Sequence, residues 1–323
     1  MEIATLSSPS MYMLRDLYSR ILRVRMVDEW ISRLHEQGHI DHIASCRGHE
    51  AAQVGSALCI EVGTDFTLPY YRDLGVVLTI GMTPYEVFRA CLQAQSRGDS
   101  SPLPEASARD EGVHATTERP APVLHWGYQK HNMITGATPA ATHILHAAGI
   151  AFACKLRKAP AVTVAYCGDG ATADPDFLEG VHFAVLHRLP VIFICEQDCP
   201  EASSTAQSTL SSVALPAGIE RLSINGANVL SVYTTMQAAM QRAREGRGPL
   251  LLEMYVTRPT PDVTGDPRDP LLRCQQLLEE QGAWDDGWAQ QVRAWVEDEV
   301  EQAWRDALRD DGGESMQKRE AIE

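Results

Sequence analysis

Val162-Thr-Val-Ala-Tyr-Cys-Gly-Asp-Gly-Ala-Thr-Ala-Asp-Pro-Asp-Phe177 opens, and Pro190-Val-Ile-Phe-Ile-Cys-Glu-Gln-Asp-Cys-Pro200 closes, the stretch whose reading decides the fold. Ala161 to Tyr166 is a short apolar run rich in β-branched residues that stops at glycines, as a parallel strand covered on both faces does. Gly168 and Gly170 supply a turn where backbone can approach a ligand. Between them Asp169 stands at the carboxyl end of a strand, where open α/β sheets bind ligands. Asp174 and Asp176 acidify the first turn of a helix, Pro175 suits its first position, and Phe177, Val181, Ala184 and Val185 follow at helical spacing. Pro190 ends that helix and Val191 to Cys195 is a second buried strand, which completes a βαβ unit. Asp198 then reaches the same sheet edge as Asp169. Two carboxylates with backbone carbonyls and phosphate oxygens make a hard, oxygen-only magnesium site.

Gly168-Asp169-Gly170, followed at this spacing by Glu196-Gln197-Asp198, resembles the thiamin diphosphate motif, whose end is normally Asn-Asn. The string GDGATADPDFLEGVHFAVLHRLPVIFICE resembles the alpha subunit of the dehydrogenase component of 2-oxo acid dehydrogenase complexes, over about residues 10 to 310. The resemblance implies thiamin diphosphate and Mg2+ as cofactors, with Asp169, Asp198 and the backbone carbonyl of Pro200 on the metal. Gly168, Gly170 and Ala171 then fall along the cofactor. Arg47-Gly-His-Glu-Ala-Ala-Gln-Val is similar to the family's Gly-Gln/Glu-Glu-Ala segment. Tyr71 and Arg72, in Phe66-Thr-Leu-Pro-Tyr-Tyr-Arg-Asp73, match a Tyr-Arg pair that contacts the diphosphate, a task that suits the planar arginine fork. Thr138 and Ala140 fall in the loop that lines the cofactor ring.

The sequence departs from the family in three places. Gln197-Asp198 replaces Asn-Asn and adds a negative charge. Arg258 is kept in the run after the last strand, whereas Asp262 stands where the family has a catalytic histidine; a carboxylate there removes a group that titrates near neutrality. The loop that follows is shorter. The resemblance further implies a beta subunit that completes the site, a lipoyl acyltransferase that receives the acyl group, a small 2-oxo acid substrate of branched-chain or pyruvate type, and a hetero-oligomer such as a heterotetramer. An acetoin dehydrogenase alpha subunit shares the motif, and a catalytically silent paralogue that binds cofactor or subunit is the reading that the departures motivate.

The chain has 323 residues, 44% of them hydrophobic, enough for a full α/β core. A formal charge of −15 argues against a nucleic-acid binder, which needs a basic patch to neutralise phosphates. No stretch is long and apolar enough to span a bilayer, and the first residues lack a basic-then-apolar signal pattern, so a cytoplasmic protein with no membrane partner is expected. The eight cysteines are scattered; Cys195 and Cys199 lack further partners for zinc, and buried reduced thiols are expected. His125, His131, His143 and His146 cluster in sequence, and packing or surface roles are expected for each.

The expected architecture is a doubly wound, mostly parallel α/β sheet in a single thiamin diphosphate-binding domain spanning 1–323, with an N-terminal helix at 11–38, an α/β core at 47–257 and a helical C-terminal extension at 270–310. Within it, Gly38 is expected just past the first helix, Ile144 to Leu156 as a small-residue helix, Ser223 to Val232 as strand-turn-strand, Thr235 to Glu245 as a helix and Pro249 to Val256 as a strand. Ser96 to Pro122 and Glu201 to Ser212 read as loops, and the residues past Asp310 as disordered. The tryptophan-rich tail from Pro270 is expected either to pack on the parent domain or to meet another subunit.

Overall fold

The computed structural model describes residues 10–40, 44–96, 126–136, 141–199, 210, 213–259 and 265–320. In chain order the elements are α1 Met11–Glu36, α2 Glu50–Ala57, β1 Phe66–Leu68, α3 Leu74–Ile80, α4 Pro84–Ser96, α5 Thr142–Leu156, β2 Thr163–Gly168, α6 Pro175–Leu186, β3 Val191–Asp198, β4 Glu220–Asn225, α7 Val229–Arg244, β5 Leu250–Val256, α8 Pro270–Glu280 and α9 Asp286–Glu320. The five strands form one parallel sheet in the order β1-β2-β3-β5-β4. This is the doubly wound α/β class expected, with α5 and α6 covering one face and α1, α2 and α7 prominent on the other. Because the strands run parallel, the carboxyl ends of β1, β2, β3 and β5 share one edge.

Local chemistry sets the boundaries. Ser10 caps α1 by accepting from the Met13 N–H at 3.2 Å. Gly38, at φ +76°, ends it with its N–H on the His35 carbonyl, while His39 N–H reaches Leu34, a left-handed cap that only glycine adopts cheaply. Thr83 and Glu86 exchange backbone and side-chain bonds before α4, closing a capping box. Asp174 caps α6, with Pro175 at its start. β2 and β3 are buried along nearly their whole length, which explains their unbroken apolar runs.

Two expectations are corrected. Ser223 to Val232 is not strand-turn-strand: β4 ends at Asn225 and α7 begins at Val229, before the predicted Thr235. Asn228 is an N-cap whose side chain accepts from Ser231 N–H at 3.0 Å, and Val229, Val232, Met236, Ala239 and Met240 form one buried helical stripe. The residues past Asp310, expected to be disordered, continue α9 as far as Glu320, and 321–323 lie outside the described residues. The tail packs largely on the parent fold. Trp284 and Trp288 lie 5.1 and 5.6 Å from the Tyr18 ring, and Trp304 lies 5.6 Å from Phe88, whereas Trp295 is 60% exposed. All eight cysteines are free, and six are buried as expected, whereas Cys59 and Cys199 are half-buried. His143 is buried with Nε2 2.6 Å from the Tyr166 carbonyl, and His131 packs edge-on to Tyr128, the packing roles predicted. The segments 97–125, 201–209 and 211–212, which contain most of the predicted loops and His125, lie outside the described residues.

A buried ion cluster locks the tail to the core. Arg25 donates to Glu50 at 2.5 Å and through both terminal nitrogens to Asp269 at 3.0 Å, while Asp269 also caps α8 by accepting from Leu271 N–H at 2.8 Å. Burial works against the Asp269 charge, but the Arg25 hydrogen bonds outweigh it and hold the carboxyl below its ordinary 3.8. A carboxyl lowered in the fold stabilises fully above its unfolded value and loses that contribution as pH falls through the lowered one. Asp269→Ala, which removes an ion partner and a cap together, is expected to cost about 2–4 kcal/mol at neutral pH. In denaturant titrations the gap between wild type and variant should narrow below pH 3.8.

Candidate functional site

The site is assembled along the carboxyl edge of the sheet. β3 alternates its faces, so Ile192, Ile194, Glu196 and Asp198 point to one side and Phe193, Cys195 and Gln197 to the other. Glu196 is 1% exposed. Its Oε2 receives His49 Nδ1 at 2.6 Å, the Tyr70 hydroxyl at 2.9 Å and Gln53 Nε2 at 3.2 Å. The Tyr70 hydroxyl and the Gln53 amide donate to it, and the His49 ring nitrogen lies within hydrogen-bond distance. One buried acid thereby ties the start of α2 and the loop after β1 to the centre of the sheet.

That loop is a tight turn. Asp73 N–H bonds the Tyr70 carbonyl at 3.1 Å and the Asp73 carboxyl accepts from Tyr70 N–H at 2.8 Å. Tyr71 and Arg72 sit between them, half-buried. The Arg72 guanidinium donates to the Ser45 carbonyl at 3.0 Å and lies 5.4 Å from the Tyr71 ring centre. Burial first, and then repulsion from Glu196, push the Asp73 carboxyl well above the usual range, partly offset by the Tyr70 N–H.

Asp169 begins a single turn of tight helix, Asp169–Ala173, directly after β2. Its Oδ1 accepts from Gly170 N–H at 2.9 Å and its Oδ2 from Gln197 Nε2 at 3.1 Å. Gln197 also reaches the Asp198 carbonyl at 3.3 Å, so one amide joins the two strand ends. Gly168 pairs with Glu196 in register, which confirms that β2 and β3 are neighbours. Neither Gly168 nor Gly170 has positive φ, and a methyl group added at Gly170 would meet nothing within 4 Å. The fold alone thus does not demand glycine at 170. Ala171 is buried against the α5–α6 side of the core.

Asp198 ends β3 with Oδ2 2.7 Å from Arg258 Nη2, and with Oδ1 3.8 Å from His49 Nε2. The structure thus places Tyr71, Arg72, Gly168, Asp169, Gly170, Ala171, Asp198 and Arg258 on the strand ends and loops of one edge, while Thr138, Ala140, Pro200 and Asp262 lie outside the described residues. Among the described residues no group of three or more His, Cys, Asp or Glu is arranged as a ready metal site. Sequence reasoning missed His49, Gln53, Tyr70 and the buried role of Glu196. An acid two positions from Asp198 in an otherwise apolar strand was the available signal.

Residues 18–312 match the protein family described as "Dehydrogenase E1 component". The chain belongs to that family. It is 33% identical over 313 residues to 2-oxoisovalerate dehydrogenase subunit alpha of Bacillus subtilis (strain 168), covering 91% of this chain and 86% of that protein. It is 32% identical over 317 residues to 3-methyl-2-oxobutanoate dehydrogenase subunit alpha of Mycobacterium tuberculosis (strain CDC 1551 / Oshkosh), covering 92% and 78%. Pyruvate dehydrogenase E1 component subunit alpha of Staphylococcus aureus (strain Mu50 / ATCC 700699) is 29% identical over 313 residues, covering 90% and 77%.

In this E1 component chain the turn before α2 is wedged against the loop after β5. Gly48 has φ +93°, and an added methyl group would stand 2.4 Å from the Thr257 carbonyl and 3.0 Å from the Arg258 Cα. Gly48→Ala is therefore expected to destabilise the protein by about 1–3 kcal/mol through left-handed strain and collision, as read by urea unfolding. A value within about 0.5 kcal/mol of wild type, the usual range for harmless surface changes, would show that the two loops are not wedged together.

Proposed function

We propose that this chain is the alpha subunit of a 2-oxo acid dehydrogenase and that the carboxyl edge of its sheet holds thiamin diphosphate through Mg2+. The observation that carries the reading is the pair Asp169 and Asp198, on the ends of adjacent parallel strands and bridged by Gln197. The donor set fits a magnesium diphosphate, because hard carboxylate oxygens suit the ion. The open space at Gly170 fits close approach of a ligand to the backbone.

On this reading Asp169, Asp198 and the carbonyl of Pro200 hold the metal, Tyr71 and Arg72 bind phosphate oxygens, Gly168, Gly170 and Ala171 flank the diphosphate, and Thr138 and Ala140 line the cofactor ring. The bound cofactor supplies carbanion stabilisation during loss of carbon dioxide from a 2-oxo acid. Arg72 neutralises phosphate charge with a planar fork, which also fixes its orientation. Arg258 draws Asp198 toward the loop after β5 and sets the direction of its carboxylate. Asp262, in the family histidine's position, puts a negative charge where a proton donor is expected, so proton delivery falls to another group. A beta subunit completes the site and a lipoyl acyltransferase accepts the acyl group. A branched-chain 2-oxo acid is the preferred substrate, since the relatives named for such acids are 33% and 32% identical and the one named for pyruvate is 29% identical.

A second reading, a silent paralogue that retains cofactor binding, is favoured by Asp262 and by the Asp198–Arg258 ion pair, with which a metal must compete. Calorimetric titration of the chain, co-produced with its beta subunit, with thiamin diphosphate and Mg2+ separates the two when followed by 2-oxo acids and detection of carbon dioxide. Binding that Asp169→Ala abolishes, with turnover of branched-chain acids faster than of pyruvate, is the expected outcome. Binding without turnover selects the silent paralogue, and no binding by wild type contradicts both.

A further inference from the structure

We propose that Asp28, on α1, is a positioning residue for Arg72; the inference rests on the reading above that Arg72 binds the diphosphate. Asp28 is 4% exposed and lies well inside the helix. Its Oδ2 accepts from the Ser45 hydroxyl at 2.6 Å and its Oδ1 from the Cys46 N–H at 3.0 Å. Among the described residues, the hydrogen bonds that tie Ser45 and Cys46 to α1 both end on this carboxyl. The Ser45 carbonyl in turn accepts from Arg72 Nη1 at 3.0 Å. The helix thus reaches the guanidinium through one loop residue. The donors are a hydroxyl, a backbone N–H and an arginine that stays charged, so the link does not turn on any group that titrates near neutrality.

Each joint of this link is held from more than one side. Ser45 Oγ also accepts from the Arg47 N–H at 3.1 Å, a local turn bond, and the His49 N–H reaches the Cys46 carbonyl at 2.9 Å. At the far end, the Arg72 carbonyl accepts from Gln53 Nε2 at 3.2 Å, and the guanidinium lies against the Tyr71 ring. A guanidinium carries five N–H donors in a rigid fork, so the bond to Ser45 leaves others for phosphate oxygens. A long side chain that is ordered only when its ligand arrives loses rotamer freedom at that moment, and one already anchored has less to lose. Without the Asp28 carboxyl, Ser45 keeps its local turn but is no longer pinned to α1. The carbonyl that anchors Arg72 then shifts, and the ligand itself must order the arginine, which lowers affinity about 5-fold.

The test uses the chain assembled with its beta subunit and measures its affinity for thiamin diphosphate by calorimetry at saturating Mg2+. Asp28→Ala should weaken binding about 5-fold, with the far-ultraviolet circular dichroism of wild type. In an Arg72→Ala background the same change should cost less than about 2-fold, because the side chain it positions is gone. Asp28→Asn, whose amide accepts from Cys46 and donates to Ser45, should bring affinity back to within about 2-fold of wild type. If Asp28→Ala fails to fold, Ser45→Ala, which cuts one of the two bonds to Asp28 and keeps the anchoring carbonyl, is read in the same way. Unchanged affinity in the alanine variant, equal losses in both backgrounds, or no recovery with asparagine overturns the inference and leaves the functional reading standing. No binding by wild type, or an Arg72→Ala variant that binds as wild type does, overturns the reading of Arg72 and this inference with it.

Discussion

The carboxyl edge of this sheet depends on one buried acid. Glu196 lies buried near the carboxyl end of β3, just past its apolar run, and an unpaired carboxylate there would cost several kcal/mol. Its hydrogen bonds come from residues far away in sequence, His49, Gln53 and Tyr70. Meeting that demand places the start of α2 and the loop after β1 against the end of β3. Tyr71 and Arg72 follow Tyr70 directly, so the same bond that reaches Glu196 also brings to the edge the pair proposed to bind phosphate.

The charge pattern around this acid explains how the edge tolerates a further one. Asp198 is partly open to water and pairs with Arg258, so its extra negative charge is not isolated. Asp73 carries the strain of the crowding, since burial and Glu196 push its carboxyl upward. Because Asp198 and Arg258 form one ion pair, substitutions at the two are expected to be coupled rather than additive.

Much of this was legible in the sequence. β2, β3 and β5 are buried on both faces and read as continuous apolar runs, and the spacing of Gly168-Asp169-Gly170 from Asp198 located the βαβ unit. The start of α7 was not legible, because Val229-Leu-Ser-Val232 is β-branched enough to pass for a strand and only the Asn228 cap settles it as helix. The tail's tryptophans signalled an apolar stripe without naming its partner, which is Tyr18 and Phe88 for three of them. The His49–Glu196–Tyr70 network could not be read at all. Its members have no sequence spacing in common, and only the parallel order of the strands brings them together.

The central claim is that Asp169 and Asp198 share one divalent cation at the end of the sheet. Anomalous diffraction from Mn2+ in crystals of the assembled complex with thiamin diphosphate tests it most directly. The account predicts a single anomalous peak per chain within coordination distance of both carboxylates. A peak bound by Asp169 alone, with Asp198 still paired to Arg258, would contradict it.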